Sequence, residues 1–132
     1  MVSVITGGAG GMGLATARIV GREQPVVLCD VRQDRLDAVG AELDGLDVRL
    51  INCDVTDRPA VVELFKTAGA IGPVTSVIHT AGVSPSMGDA AYIMRTNAIG
   101  TLNVNEVFCA VAPEGPRSST WRRWPRICCP RS

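Results

Sequence analysis

Glycine is concentrated in one short stretch near the start of this 132-residue chain, where residues 6–13 read "TGGAGGMG". The stretch follows the apolar run "VSVIT" and precedes a segment with helical periodicity. A glycine turn between a strand and a helix lets the backbone approach a phosphate, whose charge the free N–H groups at the helix N-terminus then stabilise. The arrangement predicts a loop for the pyrophosphate of a dinucleotide, and a purely structural turn is the alternative.

An acidic residue lies where a dinucleotide would need one. Asp30 ends the apolar run "VVLCD", seventeen residues after Gly13. A carboxylate at the end of the second strand can accept hydrogen bonds from both hydroxyls of an adenosine ribose, and it would repel a 2′-phosphate. We therefore expect NAD as the cofactor in preference to NADP, although Asp30 would also be ordinary as a solvated strand end.

Short apolar runs alternate with helical patterns as far as residue 112. This alternation predicts βαβ units, and continuous apolar strands are typical of a parallel sheet covered on both faces. We expect an α/β Rossmann-type parallel sheet of about four strands with helices on both faces, incomplete relative to the full fold. The predicted strands are residues 2–6, 26–30, 47–51 and 74–79, and the predicted helices are residues 11–22, 33–43, one that includes residues 61–65, and 89–112.

Helical spacing also predicts which side of each helix is buried, because apolar residues three or four positions apart share a face. The predicted inward-facing residues are Met12, Ala15, Ile19 and Val20 in the first helix and Val61, Leu64 and Phe65 in the third.

Four motifs, in this order, resemble those of the short-chain dehydrogenase/reductase family. The glycine loop matches the pattern Thr-Gly-x3-Gly-x-Gly, and Asp54-Val55 matches the Asp-Val that follows the third strand in that family. Thr80-Ala81-Gly82 resembles the family's Asn-Ala-Gly, with threonine in place of asparagine, and Asn97 matches an asparagine of the next helix. The loop also fits the Thr-Gly-x2-Gly-x2-Gly of the epimerase-like extended branch, which stays open as an alternative.

The resemblance implies a role for each of these positions. Asp54 and Val55 would lie along the adenine, and Ala81 and Gly82 near the nicotinamide. Asn97 would belong to the catalytic set, where it helps to hold a proton-relay water. On the residues alone, Asp54 is also a candidate helix cap and Asn97 a surface residue. The implied cofactor-binding residues are Thr6, Gly7, Gly11, Met12, Gly13, Asp30, Asp54, Val55, Ala81 and Gly82.

The residues that carry out the family's chemistry are missing from this sequence. In the family a tyrosine acts as general acid and base, a lysine four residues later lowers its pKa, and a serine orients the carbonyl. This chain has a single tyrosine, Tyr92, a single lysine, Lys66, and no Tyr-x3-Lys. The resemblance implies a parent that transfers hydride between NAD and a carbonyl or alcohol of a small molecule, whereas this chain is expected to bind the cofactor without turnover.

A second hypothesis is a non-catalytic remnant that acts, if at all, as an interaction partner. In the family the long helix, here residues 89–112, usually packs against a partner subunit. A homo-oligomer through this helix is therefore expected from the resemblance. Turnover would separate an active oxidoreductase from such a remnant, and association with a full-length relative would separate an interaction partner from a remnant without one.

The last twenty residues differ from all that precede them. Residues 113–132 contain both tryptophans and five arginines, without apolar periodicity. An irregular tail is therefore expected after an NAD-binding Rossmann half that spans residues 1–112. When "SSTWRRWP" is back-translated and shifted by one base, it can encode Val-Asn-Val-Ala-Ser-Met-Ala, which resembles the serine strand of the family. We therefore hypothesise that the tail is frame-shifted coding sequence without a function of its own.

Charge and composition argue against several classes of partner. Residues 1–114 carry a net charge of −5 and residues 115–132 one of +5, and an acidic body does not suit a phosphate backbone, so we expect no nucleic-acid partner. No apolar run is long enough to span a bilayer and no signal peptide is visible, so we expect no membrane association and a cytoplasmic location. The five cysteines lack metal-ligand spacing and His79 has no second ligand near it, so no metal site is predicted and His79 is expected to be structural.

Overall fold

The structure is a computed structural model that describes residues 1–83, 86 and 88–111, so the predicted irregular tail lies outside the described residues. Strands and helices alternate along the chain, as predicted. The elements are β1 (Val2–Thr6), α1 (Gly11–Val20), β2 (Val26–Asp30), α2 (Gln33–Glu42), β3 (Val48–Asn52), α3 (Arg58–Ile71), β4 (Val74–His79), α4 (Ala90–Met94), a π-helical turn (Arg95–Ile99) and α5 (Gly100–Val111).

The four strands form one parallel sheet in the order β3-β2-β1-β4. In the central strand β1, Ile5 lies beside Leu28 of β2 and Ile78 of β4. Every residue of β1 is buried, as a strand with helices on both faces requires. The order and the helical crossovers confirm the predicted Rossmann-type α/β fold, with β3 beginning one residue later than predicted, at Val48.

Alternate residues of β1 contribute to two separate cores. Val4 is buried in a core that also contains Phe65 of α3 and Val104 of α5. Ile5 is buried in a second core that also contains Ala17 of α1. Because successive side chains of a strand point to opposite faces, one strand can supply both cores. Helices therefore cover both faces of the sheet, and the predicted inward face of α3 is confirmed.

The predicted inward face of α1 is wrong for Met12, Ala15 and Ile19, whereas Val20 packs against the core as predicted. Met12 and Ile19 are 72% and 67% exposed, whereas Gly13 and Ala17 are buried. A Cβ at Gly13 would lie only 2.5 Å from the carbonyl oxygen of Gly7, so the helix and the glycine loop are in direct backbone contact. Small residues form the packed face because α1 approaches the glycine loop too closely for larger side chains. The spacing of apolar residues does not indicate such a close approach.

The long helix predicted over residues 89–112 is continuous in the described residues, but it is not α-helical throughout. In its π-helical turn the N–H of Gly100 donates to the carbonyl of Arg95, five residues earlier. Short π-helical turns within α-helices are frequent at functional sites. Asn97, the residue that the family resemblance assigned to the catalytic set, lies in this turn.

Candidate functional site

The glycine loop is packed tightly on one side and open on the other. Gly7 has a φ of +66°, in the left-handed region, and a Cβ there would lie 2.7 Å from the backbone of Ala81. At Gly11 a Cβ would meet no other part of the protein within 4 Å. The open side at Gly11 therefore leaves room for the phosphates of a ligand to approach the backbone.

The N-terminus of α1 presents hydrogen-bond donors that need acceptors. Gly10 precedes the helix without a side chain to cap it, and the N–H of Leu14 donates to the carbonyl of Gly10 at 2.9 Å. Within the described part of the chain, no acceptor faces the N–H groups of Gly11, Met12 and Gly13. Since the positive end of the helix dipole lies at the same place, these groups suit an anion.

Asp30 connects the end of β2 to the glycine loop. Its Oδ2 accepts from the N–H of Ala9 at 3.2 Å, and its Oδ1 accepts from the N–H of Arg32 at 3.0 Å. The residue is half-buried, and each carboxylate oxygen can accept a further hydrogen bond. Asp30 can therefore position the loop and still accept from ribose hydroxyls.

Two arginines near Asp30 are missing from the sequence-based prediction. Arg32 and Arg35 line the same cleft as Asp30. The guanidinium of Arg32 pairs with Asp34 at 2.9 Å, and this hydrogen bond raises the pKa of Arg32 and lowers that of Asp34. Their positive charge opposes the repulsion that Asp30 would exert on a 2′-phosphate. The available signal was their position, two and five residues after Asp30, where the next helix begins.

Asp54 closes the turn between β3 and α3. Its Oδ1 accepts from the N–H and the hydroxyl of Thr56, at 2.9 and 2.8 Å. Asp54 does not cap α3, because the N-cap position belongs to Asp57. The neighbouring Val55 is 5% exposed, and a Cβ at Gly100 would lie 2.6 Å from its side chain. Asp54 and Val55 both line the cleft that Asp30 lines.

The loop after β4 is attached to the end of β1. The hydroxyl of Thr80 donates to the carbonyl of Thr6 at 2.6 Å, and the N–H of Ala81 donates to the hydroxyl oxygen of Thr6 at 3.4 Å. Threonine at the position of the family's asparagine thus joins the two strand ends through its hydroxyl. This attachment places Ala81 and Gly82 beside the glycine loop.

Asn97 holds the same loop from the opposite side. The side-chain amide of Asn97 exchanges two hydrogen bonds with the backbone of Val83. The backbone carbonyl of Asn97 accepts from the hydroxyl of Thr101 at 2.6 Å. Asn97 is exposed, as a surface residue would be, and its side chain also holds the backbone of the loop.

These elements surround two adjoining hollows at the carboxyl edge of the sheet, where the strand order reverses on either side of β1. The first is a cleft of about 420 Å³ and the second has a volume of about 430 Å³. The predicted residues that line the first are Gly7, Asp30, Asp54, Val55, Ala81 and Gly82. Those that line the second are Met12, Ala81, Gly82 and Asn97. Thr6, which is buried, Gly11 and Gly13 line neither hollow.

Two free thiols lie beneath the first cleft. Cys29 and Cys53 are 0% and 4% exposed. A hydrogen bond with the thiol of Cys53, together with burial, raises the pKa of Cys29 well above its usual range, so Cys29 stays a neutral thiol. Over residues 1–83, 86 and 88–111, no three His, Cys, Asp or Glu side chains are grouped to hold a metal ion. In the same residues, no helix has both the length and the apolar character needed to cross a membrane.

The chain matches the model of the short chain dehydrogenase family over residues 1–112. It is 36% identical over 84 residues to the short chain dehydrogenase/reductase dpchG of Colletotrichum higginsianum, an alignment of 61% of this chain and 31% of that protein. It is 35% identical over 88 residues to the NADP-dependent (R)-specific alcohol dehydrogenase of Lentilactobacillus kefiri, covering 64% of this chain and 35% of that one.

A solved structure has the same fold. The apo form of LigO from Sphingobium sp. strain SYK-6 superposes with a TM-score of 0.73 at 29% identity, over 83% of this chain and 44% of that one. The chain thus spans less than half the length of each of these relatives. The family match favours the dehydrogenase branch over the epimerase-like alternative. The chain belongs to the short-chain dehydrogenase family and contains its NAD(P)-binding part.

Proposed function

We propose that the dinucleotide lies along the carboxyl edge of the sheet, with its pyrophosphate at the start of α1 and its adenosine in the first cleft. The observation that carries this proposal is the open N-terminus of α1 beside Asp30. Backbone donors without acceptors lie there next to a carboxylate that can accept further hydrogen bonds. A phosphate and a ribose diol are the neighbouring groups that would satisfy both.

The remaining site residues suit the other parts of the ligand. Asp54 and Val55 would receive the adenine, since both line the first cleft. Ala81 and Gly82 would lie beside the nicotinamide, since they line both hollows. When bound, the cofactor would supply or take up a hydride, and the part of this chain is to bind and orient it.

We propose that NAD is preferred to NADP. The carboxylate of Asp30 would face a 2′-phosphate directly, and the guanidinium of Arg32 is engaged by Asp34. Arg35 lines the cleft without an ion pair in the described residues, and it is the charge that works against this preference. One relative is named as NADP-dependent, so the preference must be measured on this chain itself.

Calorimetric titration with NAD⁺ and NADP⁺ tests the preference. We expect NAD⁺ to bind about tenfold more tightly, which corresponds to about 1.4 kcal/mol. Asp30→Asn keeps an acceptor oxygen for the loop but removes the negative charge. It should therefore narrow the difference in affinity between NAD⁺ and NADP⁺. Asp44→Asn, at an exposed acid remote from the cleft, should not. Tighter binding of NADP⁺ to the unmodified chain would contradict the assignment.

The reaction of the whole protein is proposed from the family, as hydride transfer between NAD(P) and a carbonyl or alcohol of a small molecule. This chain offers no suitable proton donor among its described residues. Tyr92 lines the first cleft, but the single lysine of the chain, Lys66, lies on α3 and pairs with Glu63, so no lysine accompanies the tyrosine. Asn97 cannot donate a proton to an alkoxide near neutral pH. We therefore expect the 132-residue chain to bind cofactor without turning over NADH with ketones.

We also propose self-association through the long helix. Three large apolar side chains on it are exposed: Met94 by 66%, Ile99 by 46% and Leu102 by 53%. Burying such side chains against a second copy would remove apolar surface from water. The interface is part of the family resemblance, and the exposed side chains are what supports it in this chain.

A further inference from the structure

The single histidine of the chain lies at the carboxyl end of β4. His79 is the last residue of β4, half-buried, and both nitrogens of its ring are engaged. Nδ1 lies 2.6 Å from the hydroxyl oxygen of Thr6, at the end of β1. Nε2 lies 2.9 Å from the hydroxyl oxygen of Thr101, in α5. The ring therefore connects a strand to a helix that is distant in sequence.

The direction of these hydrogen bonds follows from the hydroxyl of Thr101. That hydroxyl donates its only hydrogen to the carbonyl of Asn97, at 2.6 Å. It can therefore only accept from His79, which places a hydrogen on Nε2. Nδ1 then carries a lone pair and accepts from the hydroxyl of Thr6, whose oxygen also accepts from the N–H of Ala81. Every group in this series has one consistent role.

The two ends of the series lie at the two walls of the site. Thr6 begins the glycine loop, and its carbonyl is held by Thr80. Asn97 lies in the π-helical turn, where its side chain holds Val83. The second hollow is lined by Met12 at the start of α1, by the loop after β4, and by Asn97 and Thr101. A change in the hydrogen bonds of His79 would therefore alter the distance between the glycine loop and the π-helical turn.

We propose that His79 is a positioning residue whose neutral imidazole, protonated on Nε2, holds the π-helical turn at a fixed distance from the glycine loop. The consequence for a ligand rests on the proposed function, because a dinucleotide would contact both walls. The hydrogen-bond series itself does not depend on it. A proton on Nδ1 would direct a donor at the hydroxyl oxygen of Thr6 and break the series at that point.

The surroundings of the ring favour the neutral form. Burial lowers the pKa of His79 below its ordinary value of 6.5. The neighbouring strands β1 and β4 contain no other charged residue. On the long helix, Arg95 lines the first cleft and Glu106 is paired with Arg58. On α1, Arg18 is paired with Glu42.

Nuclear magnetic resonance of the ¹⁵N-labelled 132-residue chain tests the proposal directly, because only one imidazole gives a signal. At pH 7 we expect Nε2 to carry the hydrogen and Nδ1 to carry none, and we expect the ring to titrate below pH 6.5. A ring protonated on Nδ1, an equal mixture of the two forms, or titration at or above pH 6.5 would overturn the proposal.

A matched pair of variants tests the coupling between the walls. Thr101→Val removes the hydroxyl at the far side of the ring, and it should shift the backbone amide signals of Thr6 and Ala81. Thr67→Val is the control, because Thr67 donates to the carbonyl four residues earlier, at 3.0 Å, but lies in α3. Thr101→Ser keeps the hydroxyl and should restore the signals. If the amide signals of Thr6 and Ala81 have the same positions in Thr101→Val as in Thr67→Val, the coupling between the walls is overturned.

The same variants separate this inference from the proposed function. Thr101→Val should weaken NAD⁺ binding by about 3- to 10-fold, the effect of one hydrogen bond, while Thr67→Val should leave it unchanged. If the unmodified chain does not bind NAD⁺, the proposed function fails, and the tautomer and the amide signals still decide whether His79 links the two walls.

Discussion

Asn97 and Val83 are joined by two hydrogen bonds between one side chain and one backbone unit. The N–H of Val83 donates to Oδ1 of Asn97 at 2.9 Å, and Nδ2 of Asn97 donates to the carbonyl of Val83 at 3.0 Å. An asparagine is suited to this exchange because its amide combines a donor and an acceptor as the backbone does. The pairing fixes the loop after β4 against the π-helical turn, and it gives Asn97 a structural role besides the one implied by the family.

Removing this pairing should destabilise the chain measurably. Asn97→Ala deletes both hydrogen bonds, and we expect the free energy of unfolding to fall by about 1 kcal/mol, since the site is partly exposed to water. Urea denaturation followed by circular dichroism measures this difference. Asn105→Ala is the control on the same helix, because Asn105 is exposed and makes no side-chain hydrogen bond in the described residues. Equal losses in both variants would contradict the role of the pairing.

The glycine loop predicts opposite outcomes for two neighbouring substitutions. A Cβ at Gly13 would lie 2.5 Å from the carbonyl oxygen of Gly7, whereas one at Gly11 would meet no other part of the protein within 4 Å. Gly13→Ala should therefore lower the free energy of unfolding by about 2 kcal/mol or more, and Gly11→Ala should change it by less than about 1 kcal/mol. Thermal unfolding of both variants checks the contrast, and a larger loss at Gly11 would refute the packing described for the loop.

Stability should depend on pH through His79. Burial lowers the pKa of His79 in the folded chain, so the unfolded chain binds the proton more readily. The stability present above about pH 6.5 should be lost progressively as the pH falls towards the folded-state pKa. In His79→Phe this part of the pH dependence should vanish, whereas the contribution of Asp34, whose pKa is also lowered, is common to both proteins. If the free energies of unfolding of the unmodified chain and of His79→Phe change in parallel between pH 7.5 and 5, His79 does not contribute to the pH dependence.

Self-association should depend on the exposed apolar side of the long helix. Leu102→Glu places a charge on that side, and we expect it to reduce the fraction of dimer in sedimentation velocity experiments. Ile19→Glu is the matched control, because Ile19 is an apolar residue on α1 that is at least as exposed as Leu102, by 67% against 53%. If both variants dimerise as the unmodified chain does, the long helix is not the interface.

The sequence was most informative where burial is complete. β1 and β2 have the predicted bounds, because continuous apolar runs leave few other ways to form a covered parallel sheet. β4 also has its predicted bounds, although it is an edge strand in which only Val74 is buried. The edge strand β3 is shifted by one residue, since its partly exposed side chains carry a weaker pattern. The buried face of α1 was missed because Gly13 and Ala17 pack by being small, which hydrophobic spacing cannot show.

The site divides in the same way between local and tertiary features. The glycine loop and Asp30 could be predicted, because their chemistry depends on a short segment and one strand end. The connection through His79 could not be predicted, because it depends on contacts with Thr101 and Thr6, which lie 22 and 73 residues away in sequence. The π-helical turn could not be predicted either, because the apolar spacing of residues 89–112 is that of an ordinary helix. Arg32 and Arg35 were within reach of the sequence, since they follow Asp30 closely, but the glycine motif does not include them.

Calorimetric titration of NAD⁺ into the unmodified chain, Gly11→Ala and Gly69→Ala tests the central claim most directly. Both glycines are helical, and a Cβ at either would meet no other part of the protein within 4 Å. Only Gly11 lies at the open N-terminus of α1, so we expect Gly11→Ala to weaken binding at least about tenfold and Gly69→Ala to bind like the unmodified chain. Equal affinities in all three proteins, or no binding by the unmodified chain, would contradict a dinucleotide at the glycine loop.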